Sequence, residues 1–98
     1  MPIPDQSTRR EKRILFSRPA PVATESGELI KDSSTIDISE LGVRLRLCGQ
    51  IVPGQIADLF LNRRPERCRV VWTLPVGTSK ELIAGLEFIR PLPDPVTA

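Results

Sequence analysis

The 98-residue chain has no histidine and no tyrosine, one tryptophan, three phenylalanines and two cysteines. Without histidine it lacks the side chain that most often serves as a general base near neutral pH and as a metal ligand. Ser-His-Asp and Cys-His arrangements are therefore excluded. No Gly-rich phosphate loop with its lysine is present. Asp32 and Asp37 supply carboxylates, but both fall where the chain reads as turn and strand end, so no enzyme is expected. So few aromatics leave no clear stacking platform for a single strand, and a net charge of +2 attracts nucleic acid only weakly. Neither DNA nor RNA is expected as a partner.

Cys48 and Cys68 fit no disulfide framework or metal-ligand spacing, and each lies in or beside a strand-like run. The expectation is buried free thiols in a reducing compartment. No apolar stretch approaches the roughly 20 residues that span a bilayer, and no signal-peptide core opens the sequence. A cytoplasmic domain without membrane insertion, metal or cofactor is expected.

Ten prolines and six glycines punctuate the chain, and its length suits one domain with one modest core. Residues 42–48 alternate cleanly: Val43, Leu45 and Leu47 against Arg44, Arg46 and Cys48. A period of two means a strand with one packed and one exposed face. Similar runs predict strands at residues 21–25, 28–39, 55–61, 67–74 and 81–89. Val70, Trp72 and Leu74 would share one face of the fifth strand in chain order, and Trp72 and Phe88 are assigned to the core. Pro53-Gly54 is a strong turn signal. The fold class predicted is all-β, a small six-stranded antiparallel β-barrel with a flexible basic N-terminal arm. Closure is favoured because it removes unpaired edges. Residues 1–8 read as a flexible N-terminus, 9–90 as the domain with its arm, and 91–98 as a proline-rich tail.

Two segments carry chemistry. Arg9, Arg10, Lys12, Arg13 and Arg18 lie close together with only Glu11 against them, a block able to hold a small anion. One helical turn or a compact loop brings Arg9 and Arg13 to the same side. Each guanidinium can pair with a phosphate or with the O6/N7 edge of guanine, and can stack on a base. The same spacing recurs at Arg63 and Arg67, so a solvated basic patch is the plain alternative. The second segment is Asp37-Ile38-Ser39-Glu40-Leu41-Gly42. Asp37 can accept from guanine N1 and N2, and Ser39 can donate to phosphate or accept from a base; the alternative is a turn bonded to its own backbone. Gly42 would supply a positive φ or a close chain approach.

Together the two segments resemble the PilZ domain family, whose signature is Arg-x-x-x-Arg followed, after a strand, by Asp/Asn-x-Ser/Ala-x-x-Gly. The likeness continues through Gly42-Val43-Arg44-Leu45, Pro53-Gly54-Gln55, Arg69-Val70-Val71-Trp72 and Ala84-Gly85-Leu86-Glu87-Phe88-Ile89, over residues 9–90. The resemblance implies a barrel that binds cyclic di-GMP, the bacterial second messenger of motility or biofilm regulation, as one molecule or an intercalated pair. Arg9 and Arg13 match the arginine pair, and Asp37, Ser39 and Gly42 match the second motif. Arg10 is assigned a supporting phosphate contact. Closure of the arm would then change a surface for a downstream protein partner. The alternative is a protein-interaction adaptor with the same barrel and no nucleotide; the oligomeric state stays open.

Overall fold

The computed structural model describes residues 12–62 and 64–90. Among these residues all regular structure is β: β1 Ile14–Leu15, β2 Val22–Thr24, β3 Leu29–Ile30, β4 Ser33–Ile38, β5 Gly42–Cys48, β6 Ile56–Phe60, β7 Pro65–Pro75 and β8 Glu81–Phe88. They form one antiparallel sheet in the order β1-β4-β5-β8-β7-β6-β2-β3. No helix among the described residues is long and apolar enough to cross a membrane.

The strand β5 forms as its alternation predicts. Val43, Leu45 and Leu47 are buried while Arg44, Arg46 and Cys48 are exposed. Unbroken pairing from Gly42↔Glu87 to Cys48↔Glu81 sets the three apolar residues against Leu86, Ala84 and Leu82 of β8. Each buried side chain of this kind contributes at most roughly 1.5–3 kcal/mol. A one-residue slip would drive Arg44 and Arg46 into the core, so the register is strongly specified. Phe88 lies in the core as expected, and Ile14 and Phe16 pack against it and anchor the leading segment.

The six-stranded barrel expected from the sequence is corrected to an eight-stranded sheet of open order. The strand anticipated at residues 28–39 breaks at the exposed Lys31-Asp32, where the Ser33 amide donates to the Lys31 carbonyl at 2.9 Å. Its first part, β3, pairs with β2, and its second, β4, pairs with β5. The two-residue β1 adds the eighth strand, with Ile14↔Ile38 and Leu15↔Asp37. Between β4 and the segment leading into β2 the contact is an isolated bridge, Pro19↔Ser34, with Ala20 donating to Ser33 at 2.8 Å and Thr35 to Arg18 at 2.9 Å. Pro19 and Pro21 have no N–H to donate, which prevents a continuous ladder there. This seam still draws β2 toward β4, so Val22 and Leu59 share one core with Ile38, Val43 and Leu45.

Two register shifts decide which residues face outward. One lies between Thr35 and Asp37 of β4, the other between Val70 and Trp72 of β7. An extra residue in one strand reverses the alternation beyond it. Thr35 pairs with the inward Leu45, whereas Asp37 pairs with the outward Arg44. Val70 is buried, whereas Trp72 is 38% and Leu74 56% exposed. The expectation that Val70, Trp72 and Leu74 share a face, with Trp72 in the core, is therefore corrected. Cys68 is buried as expected, but Cys48, on the outward parity of β5, is exposed; both are free thiols.

Candidate functional site

The register aligns Leu15, Asp37, Arg44, Gly85 and Trp72 in one row across β1, β4, β5, β8 and β7. Both shifted strands contribute to it, one aiming Asp37 outward and the other Trp72. Bulges that re-aim a side chain are common beside functional sites. Gly85 leaves the room between them: a Cβ there would overlap Nε1 and Cε2 of the Trp72 indole. The ring thus sits against the β8 backbone at Gly85, in a position that only glycine permits.

Asp37 is the electrostatic centre. Its side chain is 6% exposed. Arg13 donates to Oδ1 from Nε at 3.1 Å and from Nη2 at 2.9 Å. Arg44, its cross-strand neighbour, donates from Nε to Oδ1 at 3.1 Å and to Oδ2 at 2.9 Å, and from Nη2 to Oδ2. Burial by itself would raise the Asp37 pKa, but the hydrogen bonds from Arg44 and Arg13, with the charges of both, hold it below the usual carboxylate value. The same pairing raises the Arg44 pKa.

Ser39 closes the β4–β5 turn. Its Oγ accepts from the Leu41 amide at 3.1 Å and the Gly42 amide at 3.2 Å, while its own amide donates to the Gly42 carbonyl at 2.8 Å. Arg13 Nη1 also reaches Oγ, at 3.5 Å. Ser39 is thus tied to its own backbone, as one reading of the turn held, yet lies within reach of the arginine. Gly42 is present for close approach, since positive φ among the described residues is confined to Gly27, Gly54 and Gly77. A Cβ at Gly42 would collide with the Leu86 carbonyl oxygen.

Arg13, Gly42, Arg44, Trp72, Glu87 and Ile89 are among the residues lining an open cleft of about 750 Å³ on this outer face. Two guanidiniums and an indole line it, with the Asp37 carboxylate behind the guanidiniums rather than in the lining, features suited to a planar, anionic molecule. Among the described residues no group of three or more His, Cys, Asp or Glu could hold a metal ion.

Of the residues singled out in the sequence, Arg13, Asp37, Ser39 and Gly42 come together here, while Arg9 and Arg10 lie outside the described residues. Arg18 is used elsewhere: it sits 4.9 Å from the Phe16 ring centroid and donates to Asn62 Oδ1 at 3.1 Å. Sequence reasoning passed over Arg44 and assigned Trp72 to the core rather than to the site. The alternation of β5 gave Arg44 no more than an outward parity, and Trp72 depends on a register shift that the alternation conceals. Residues 7–96, nearly the whole chain, match the family model described as the PilZ domain. No curated protein matches the chain.

Proposed function

Because the chain belongs to the PilZ domain family, we propose that it is a cyclic di-GMP receptor and adaptor acting in the bacterial cytoplasm. The observation that carries this reading is one buried carboxylate held by two arginines at the edge of a cleft walled by an indole. Guanine N1–H and N2–H donate to Asp37, while Arg13, its Nε and one Nη2 hydrogen kept on Asp37, offers its remaining Nη hydrogens to a phosphate or to the O6/N7 edge. Arg9 and Arg10 complete the arm, Gly42 and Ser39 fix the turn beneath it, and Trp72 presents a face to a purine. The family consists of binding and adaptor domains, and this chain is read as a receptor without cofactor rather than as a catalyst.

Arm closure loses conformational freedom, which the charge-assisted hydrogen bonds offset. The event alters the rim formed by Leu41 and Ile89, both exposed, where a downstream protein can read it. A second reading, an adaptor without nucleotide, is favoured by the exposed Val71 and Leu74 beside the cleft. Trp72 is the only tryptophan, so its fluorescence reports on the cleft directly. Titration with cyclic di-GMP should give a saturable change; an emission that stays flat up to millimolar ligand counts against the receptor reading.

A further inference from the structure

The acceptor assigned to guanine is already occupied. A carboxylate has about four lone-pair sites, and four nitrogens of Arg13 and Arg44, making five contacts, already converge on Asp37. A guanine edge therefore cannot simply be added; one guanidinium has to leave. The two arginines are not equivalent. Both Arg13 contacts go to Oδ1, Arg13 also reaches Ser39 Oγ, and its side chain is 29% exposed. The Arg44 side chain is 45% exposed, spans both oxygens and is the donor to Oδ2. It stands opposite Gly85 and lines the cleft, so it has room to withdraw.

Chemistry makes the exchange one of like for like. The Nε–H and Nη2–H of a guanidinium are two nearly parallel donors on a planar frame. Guanine N1–H and N2–H present the same pattern. We propose that Arg44 is an internal competitor that holds Asp37 in place of the guanine edge and is released into the cleft when the base binds. This inference rests on the receptor reading of the same carboxylate. It means that Asp37 is never left unpaired, in either state. A base with one donor beside an acceptor, as on the adenine edge, would put a lone pair against the carboxylate and cannot displace the fork. The cost is affinity, because the apparent dissociation constant is the intrinsic one divided by the fraction of molecules with Arg44 withdrawn.

Arg44→Met keeps the length of the stem and removes the fork. Calorimetric titration with cyclic di-GMP should show this variant binding roughly three- to tenfold tighter than the wild type. Arg44→Lys, which keeps a charge without the paired donors, should fall between them. Equal or weaker binding by Arg44→Met, with the wild type binding, overturns the competitor role and leaves the receptor reading standing. No saturable binding by either protein overturns the receptor reading and the competitor role with it. If Arg44→Met does not fold, the wild type supplies the test: its Arg44 Nε–H nuclear resonance should move as cyclic di-GMP saturates the protein. A resonance that stays in place at saturation overturns the proposal.

Discussion

Replacing Asp37 by Asn keeps the shape of the side chain and removes its charge, and the consequence can be worked from the contacts. Five donor contacts meet a carboxylate only 6% exposed. The guanidinium side chains are wetter, at 29% for Arg13 and 45% for Arg44, so solvent screens part of the attraction, most of all for Arg44. An amide would also set N–H donors against N–H donors. The loss should be about 2 kcal/mol, between the ~1 kcal/mol ceiling of exposed pairs and the ~3–5 kcal/mol of broken buried ones. For a domain of this size, that lowers Tm by roughly 8–16 °C.

Dependence on pH separates this cause from general damage. The folded-state pKa of Asp37 is lowered, because bonds from Arg44 and Arg13 outweigh the upward push of burial. A lowered folded pKa gives stabilisation that is complete above the unfolded value and is lost as pH falls through the folded one. Urea denaturation of wild type and Asp37→Asn should therefore show a constant gap from about pH 7 to pH 5, narrowing below about pH 4. A gap under about 0.5 kcal/mol at pH 7, or one undiminished at pH 3, refutes the reasoning.

Arg13→Ala should lose about 2 kcal/mol of cyclic di-GMP binding while the sheet stays folded, read by calorimetry beside far-ultraviolet circular dichroism; affinity equal to wild type removes Arg13 from the site. Gly42→Val meets the rigid β8 backbone at the Leu86 carbonyl, so stability should fall by at least about 2 kcal/mol and binding with it; an unchanged melting curve shows that the close approach is not required. Gly85→Ala meets only the movable Trp72 ring. It should therefore cost about 1 kcal/mol or less in stability yet shift the indole emission and weaken binding; an unshifted spectrum means that the ring does not depend on Gly85.

How much of this was legible depends on the strand. The clean alternation of β5 foretold its bounds and its inward and outward residues. In β4 and β7 one extra residue reversed the parity, so the alternation of Val70, Trp72 and Leu74 misplaced Trp72. A bulge leaves no composition mark when the inserted residue is itself a good strand former, as Ile36 and Val71 are. The break at Lys31-Asp32 was hidden in the same way inside a run that reads as continuous strand. Arg13, Asp37, Ser39 and Gly42 stood out because charged and turn-forming residues interrupt the apolar pattern. Arg44 looked like an ordinary solvent-facing residue of its strand. Only the register, which places it opposite Asp37, reveals its part in the cluster.

The central claim is that a guanine-bearing dianion is recognised at the Asp37 edge of the cleft. Calorimetric titration of the wild-type protein with cyclic di-GMP, run beside cyclic di-AMP and GMP, tests it most directly. Saturable heat with cyclic di-GMP, far weaker heat with GMP and none with cyclic di-AMP is the predicted result. Equal responses to cyclic di-GMP and cyclic di-AMP, or no response to either, would contradict it.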